Sequence, residues 1–442
     1  MARWTNWAGE QSCEPLAIAR PQSLEELRET VAEASAEGHR VRVSASGHSF
    51  TDCALTDGMM LRLDNLVREL EFDQAGGLCK VEGGVPLHRL NRMLDAHGVA
   101  FENLGDIDRQ TIAGSIATGT HGTGERFRNV SAQIAALEIV AADGSLIAVD
   151  ESDPDLLRAA RIAIGTLGVV YSVTVRTVPA YTISRVDSPR PLTEVLDSLD
   201  EVNAATDHFE FYVFPHTQTA LCRESRRTDE PPQPRNRALV YAQEVMLENW
   251  VASGFATALR HLPSRTAALA RIASRGTGRS TKLDASYKVF ASERRVKFTE
   301  MEYAVPRAHG RELVERVLEL AERPELQVGW PIEVRFVAGD DSFLSPAYGR
   351  DTCYVAVHQD HKLGWRRYFA AVESIARELE GRPHWGKRHF RTAEDLAPLY
   401  ERWDDFQAIR ARLDPAGTFT NAYTDRVLGP VAGVRTGSPG TP

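Results

Sequence analysis

The sequence predicts an α+β protein of two units, on three observations. The chain has 442 residues, more than one domain of roughly 100–200 residues usually holds. A helical pattern, a short strand and a glycine-bearing loop follow one another over residues 20–50, an order that suits α/β or α+β architecture. A period-two strand over 171–177 ends at Pro179; beyond it strand-like and helical segments alternate more loosely, so a boundary is expected near 180.

The elements justify themselves in order. Ser23 and Glu26 form a capping-box pattern ahead of an apolar stripe of Leu24, Leu27, Val31 and Ala34, with Gly38 as the stop, which predicts an amphipathic helix over 20–38. Val41-Arg42-Val43 is a short strand leading into the loop Ser44-Ala45-Ser46-Gly47-His48-Ser49-Phe50. Strands at 134–140 and 145–149 flank the turn signal Ala142-Asp143-Gly144, and a helix is expected over 153–164. In the second unit, strands are expected at 209–214, 332–337 and 353–357, a helix at 311–322 and an exposed loop at 225–237. Leu399, Trp403, Phe406, Ile409 and Leu413 predict a helix stopped by Asp414-Pro415, and residues 431–442, rich in Gly, Pro, Ser and Thr, a disordered tail.

Composition excludes several classes. With 43% hydrophobic and 26% charged residues the chain is an ordinary folded protein, and its 52 Lys and Arg against 61 Asp and Glu give a net charge of −9, which disfavours a nucleic-acid partner. The N-terminus lacks a basic n-region and apolar h-region, and no segment supplies about 18 consecutive apolar residues; a cytoplasmic, non-spanning protein is expected. Five scattered cysteines without a Cys-x-x-Cys predict buried thiols. The stretch 381–387 imitates a P-loop, but Arg388 stands where a Ser or Thr must ligate magnesium; no Gly-x-Gly-x-x-Gly follows a strand and no His-Glu-x-x-His is present. His358, His361, His384 and His389 are scattered, and no metal is expected. Arg260, Arg265, Arg271, Arg275, Arg279 and Lys282, with no acid among them, suggest a basic helix, read as a solvated face in preference to a membrane-surface or acidic-partner contact.

Two loops remain: residues 46–49, and Gly114 through Gly124 with its run of Thr118, Gly119, Thr120, His121, Gly122 and Thr123. Glycine lets backbone N–H groups converge on an anion, so such loops suit a pyrophosphate; two tight turns are the alternative. On the opposite unit Glu333 and Arg335 are one residue apart on a predicted strand and project to one face, either as a salt bridge or as part of a site.

These loops, with Arg20-Pro21 and Val41-Arg42-Val43, resemble the FAD-binding domain of the vanillyl-alcohol-oxidase superfamily. Asp207-His208-Phe209-Glu210-Phe211, Phe214-Pro215-His216, residues 331–336, Asp340-Asp341, Leu344-Ser345-Pro346, residues 350–354, 382–387 and 413–421 resemble the aldonolactone oxidoreductases more narrowly. The resemblance implies a two-domain flavoprotein: an FAD domain of residues 1–180 completed by 384–430, and a substrate cap over 181–383. It implies FAD bound covalently through His48 and lined by Ser46, Gly47, Ser49, Gly105, Asp106, Thr111, Gly114, Thr118, Gly119, His121 and Gly122. It makes Glu333, Arg335, His358 and Lys387 the catalytic set. The implied reaction takes a hydride from an aldono-1,4-lactone of the L-gulono-1,4-lactone type to flavin N5, giving a 2-keto lactone that enolises to an ascorbate-type product. Reoxidation is by oxygen, which Gly105 favours, or by an acceptor such as cytochrome c. An alditol oxidase acting on xylitol- or sorbitol-like polyols, against which Asp106 stands in place of a serine, and a flavin-binding protein without turnover are the alternatives.

Overall fold

The structure, a computed structural model, describes residues 3–233, 248–276, 278–291 and 296–431. The first helix, Leu24–Ala36, begins as its pattern predicts: the Ser23 hydroxyl accepts the Glu26 N–H at 3.2 Å, and Glu26 reaches back to the N–H of Gln22 at 2.8 Å. Its buried Leu27, Val31 and Ala34 pack on a three-stranded parallel sheet of β1 (Ala17–Ala19), β2 (Val41–Val43) and β3 (Met59–Leu61), in the order β1-β3-β2.

Beside it stands a five-stranded antiparallel sheet of β4 (Glu69–Asp73), β5 (Leu78–Glu82), β6 (Ile134–Val140), β7 (Leu146–Val149) and β8 (Val169–Arg176), ordered β7-β6-β8-β5-β4. The expected hairpin is β6–β7, and the helix predicted at 153–164 is Pro154–Arg161. The end of the chain returns here. Helices Trp403–Leu413 and Ala422–Leu428 add Phe406, Tyr423 and Val427 to this core. The Asn421 side chain donates to the carbonyls of Asp52, Cys53 and Leu55, pinning the loop that follows His48.

The large sheet has eight strands: β9 (Thr182–Pro191), β10 (His208–Val213), β11 (Thr219–Thr228), β12 (Ser280–Ala285), β13 (Phe298–Pro306), β14 (Ile332–Val337), β15 (Thr352–Asp360) and β16 (Arg382–Pro383), ordered β12-β9-β11-β10-β14-β15-β13-β16. Strict alternation gives its central strands two unlike faces. Phe209, Phe211, Met301, Tyr303, Val334, Phe336, Val355 and Val357 share a core with helices Gly310–Ala321 and Arg366–Glu378. On the opposite face the same strands carry Glu210, Tyr212, Glu300, Glu302, Glu333, Arg335, Tyr354 and His358. That face is covered as well. The loop after Thr118 crosses it: Gly124 donates to Phe336 O at 2.7 Å, and the His121 ring stacks on Tyr354 at 3.7 Å. Gly124 has φ +124°, and a Cβ there would lie 2.5 Å from Asp207 O, so only glycine permits this contact.

Four local expectations are corrected. Residues 225–228 of the predicted loop belong to β11, paired throughout with β9 and at Ser225 also with β10, and 234–237 fall outside the described residues. The basic helix is two helices, Glu248–His261 and Thr266–Arg275, because Pro263 cannot continue the first; Lys282 is on β12. The C-terminal helix starts at Trp403, since Pro398 confines Leu399 to a separate 3-10 turn at Ala397–Leu399. Cys13 is only partly buried, whereas the other four cysteines are buried free thiols. The predicted tail lies almost wholly outside the described residues. No helix among the described residues is long and apolar enough to cross a membrane.

Candidate functional site

The two glycine-bearing loops meet along one cleft, about 930 Å³ including the space at its mouth. Ser46, Gly47, His48, Ser49, Thr111, Gly114 and Thr118 all line it. Thr111 caps the short helix Ile112–Ala117, accepting the Gly114 N–H at 3.1 Å; a Cβ on Gly114 would sit 2.9 Å from the Cβ of Ala45, so the missing side chain lets the loops touch. The buried Ser44 Oγ at the same cleft has no hydrogen-bond partner. A buried hydroxyl left unpaired costs free energy unless a ligand completes it, and with the neighbouring Ser and Thr hydroxyls it fits a pyrophosphate-bearing nucleotide such as FAD. The His48 ring stacks on Trp7 at 5.6 Å. Burial, then the charges of Arg109 and Lys387, push its pKa down to about 4, so its imidazole is neutral at pH 7.

The rest of the predicted cofactor set lies elsewhere. Asp106 and Gly122 line a second recess of about 390 Å³ on the sheet side, next to Gly105. Gly119, at φ +74°, would meet Ile162 with a Cβ, and His121 lies under Tyr354.

Glu333 and Arg335 share one face and are in contact, as the strand period predicts. Their surroundings were not predicted. The register sets Glu210 opposite Arg335 and Tyr212 opposite Glu333. Arg335 Nε lies 2.8 Å from Glu210 and Nη2 lies 3.4 Å from Asp106. The Tyr212 hydroxyl donates to Glu333 at 2.8 Å, while Arg223 holds Glu210 at 3.0 Å from the neighbouring strand. Burial works against the Arg335 charge, but Glu333, Asp106 and Glu210 outweigh it and hold its pKa well above the usual range. Burial likewise opposes ionisation of Glu210, and Arg335 and Arg223 reverse it, leaving that carboxyl below the usual range. Two guanidiniums among three carboxylates make a fixed polar array with little net charge, apt for a neutral hydroxylated ligand.

A second array adjoins it on β13, where Glu300 and Glu302 are one residue apart on the same face. Glu300 lies 2.5 Å from Lys387 and 3.6 Å from His358 Nε2. His358 Nδ1 is 2.9 Å from Pro331 O and, since a carbonyl only accepts, donates to it; Nε2 has no hydrogen-bond partner. Burial opposes the Lys387 charge, but Glu300 and Glu302 raise its pKa above the ordinary lysine value. All four predicted catalytic residues therefore converge on one sheet face, with Glu210, Tyr212, Glu300 and Glu302 added to them.

The predicted histidines form no common cluster. His361 bonds to Lys297 O and His389 to Tyr423. His384 instead joins His121 and Glu302, with one atom of each within 4.8 Å of the others. His384 Nδ1 accepts the Gly386 N–H and its pKa is pushed down to about 3, chiefly by burial, so the neutral ring keeps its proton on Nε2 and has no lone pair for an ion. Burial opposes ionisation of Glu302, but His121, Lys387 and His384 together hold it far below the usual carboxylate range. Within the trio His121 Nε2 lies 3.2 Å from Glu302.

The FAD binding domain family matches residues 15–150, and the D-arabinono-1,4-lactone oxidase family residues 173–427. The chain is 49% identical over 430 residues to the L-gulono-1,4-lactone dehydrogenase of Mycobacterium tuberculosis, covering 97% of this chain and 99% of that one. It is 34% identical over 440 residues to the L-gulonolactone oxidase of Bos taurus, covering 96% and 98%. The cholesterol oxidase of B. sterolicum shares the fold, with a TM-score of 0.78 at 15% identity over 96% of each chain. The chain therefore belongs to the D-arabinono-1,4-lactone oxidase family of FAD-dependent oxidoreductases.

Proposed function

We propose that this protein oxidises an aldono-1,4-lactone at the carbinol carbon next to the lactone carbonyl, with residues 1–180 and 384–430 holding FAD and 181–383 the substrate. The observation that carries the reading is the convergence of Arg335, Glu333, Lys387 and His358 on one covered sheet face. Bound FAD supplies the acceptor for the hydride. The chain's own residues do the rest. Glu333, fixed by Tyr212, engages substrate hydroxyls; Arg335 donates to the reacting oxygen as its C–O bond gains carbonyl character. His358 Nε2, buried without a hydrogen-bond partner while Nδ1 is held by Pro331, accepts the hydroxyl proton. Lys387, held charged by Glu300, adds a second cation near that oxygen. The substrate loses the carbon-bound hydrogen with its electron pair and the hydroxyl proton, becoming a 2-keto lactone that enolises to an ascorbate-type product. Reoxidation is by oxygen or by a protein acceptor such as cytochrome c, with Gly105 leaving the oxygen route open.

The test is anaerobic titration of the yellow protein with L-gulono-1,4-lactone, other aldonolactones and xylitol, followed by air. Bleaching by lactones ahead of xylitol supports the reading; no bleaching by any lactone refutes it. Recovery of colour in air marks an oxidase.

The same reading assigns the covalent flavin link to His48, whose neutral imidazole is a competent nucleophile toward the flavin 8α carbon. In His48→Ala the flavin is expected to be wholly extractable by acid. Colour still fixed to the denatured variant would reassign the link.

A further inference from the structure

The recess beside the Arg335 array contains a group that the mechanism does not use. His208, 2% exposed, stacks on Phe127 at 4.6 Å and meets Phe290 edge-on at 4.9 Å. Its Nδ1 is 2.8 Å from Thr123 O, so Nδ1 carries the ring proton and Nε2 is a bare acceptor. Nε2 is buried with no partner, and His208 lines the recess. Burial pushes its pKa down to about 4, so the ring is neutral and the acceptor persists at pH 7. The charged walls are Asp106, Glu210, Arg185, Arg223 and Arg335. The three guanidiniums are already engaged by carboxylates, Arg335 with Asp106 and Glu210, Arg223 with Glu210 and Arg185 with Asp187, so the wall offers mixed donors and acceptors that suit neutral hydroxyls.

We propose that this recess is a hydroxyl-reading subsite that receives the exocyclic arm of the lactone, with His208 Nε2 accepting a hydrogen bond from an arm hydroxyl. The proposal rests on the lactone reading above. Its geometry follows from shared walls: Arg335 and Asp106 belong both to the recess and to the array around Glu333. In a 1,4-lactone the reacting hydroxyl is on C2 and the arm on C4, across the ring, so a ring engaged through C2 by Arg335 projects its arm away from the reacting centre. A site that buries an acceptor for a substrate hydroxyl discriminates strongly against ligands lacking it, because the acceptor is then left unpaired. His208 is thus a specificity residue, selecting lactones whose arm bears a hydroxyl over those with no arm.

The test compares His208→Asn with His208→Gln in the holoenzyme. Asparagine offers an amide N–H to Thr123 in place of Nδ1 but nothing at Nε2; glutamine restores an acceptor at about the Nε2 position. The substrates are L-gulono-1,4-lactone and the four-carbon 1,4-lactone of matching C2 and C3 configuration, which has the ring hydroxyls but no arm. His208→Asn is expected to lose at least about 10-fold in kcat/KM on the six-carbon lactone, mainly through KM, and less than about 3-fold on the four-carbon one, with His208→Gln regaining part of the difference. Equal losses on both substrates, or no loss on either, would overturn the subsite. So would a changed flavin absorption spectrum in the substrate-free variants, which would turn His208 toward the cofactor. If the wild-type protein is bleached by neither lactone, the lactone reading fails and the subsite falls with it.

Discussion

Replacing Arg335 by alanine is expected to slow flavin reduction by lactone at least ~100-fold, the scale of losing a preorganised donor to a developing oxyanion, and to destabilise the fold by about 3–5 kcal/mol. The second effect follows from what stays behind. Glu333, Glu210 and Asp106 all face this guanidinium, and removing one member of a buried ion cluster strands the charges it balanced. Alanine alone would therefore confuse folding with catalysis. Arg335→Lys separates them: it keeps the cation but loses the planar fork that meets several carboxylates at once. Its thermal midpoint should stay nearer wild type while stopped-flow reduction falls at least ~10-fold. An unaltered reduction rate in the lysine variant would remove Arg335 from the chemistry, whatever the alanine variant does to stability.

How far this array was legible in the sequence depends on the range of each interaction. Strand period alone put Glu333 and Arg335 on one face, because alternation is local. Their partners Glu210 and Tyr212 belong to a strand more than a hundred residues earlier, and the register joining β10 to β14 is a non-local choice that no spacing within either segment states. Glu300 and Glu302 did leave a signal: Met301, Tyr303 and Val305 alternate with them. Acids on alternate positions of a strand ordinarily read as a solvated face, and only the loop through Gly124 and His121, lying across the sheet, turns that face inward. The FAD cleft was more readable, since its loops are short and carry their own glycines and hydroxyls. Even so, Asp106 and Gly122 line the sheet-side recess rather than the cleft, a split set by tertiary packing.

Glu300 is where the two arrays can be told apart by pH. The ordinary lysine value of 10.5 is raised at Lys387 because Glu300 and Glu302 outweigh burial. A group whose folded pKa is raised contributes stability fully present below its unfolded value and lost only as pH climbs through the folded one, so wild-type Lys387 stays charged across the neutral and mildly alkaline range. Glu300→Gln removes the nearest carboxylate, at 2.5 Å, leaving burial opposed mainly by Glu302 and Asp106. The ammonium is then lost at lower pH. The alkaline limb of the reduction rate is expected to move to lower pH by at least about one unit, with the plateau rate down at least ~10-fold as Lys387 and His358 lose their common anchor. Glu300→Asp, which keeps the charge, should restore the position of the limb more fully than the plateau. A plateau loss with the limb unmoved would mean that Glu300 only supports packing, and that Lys387 owes its charge to Glu302 instead.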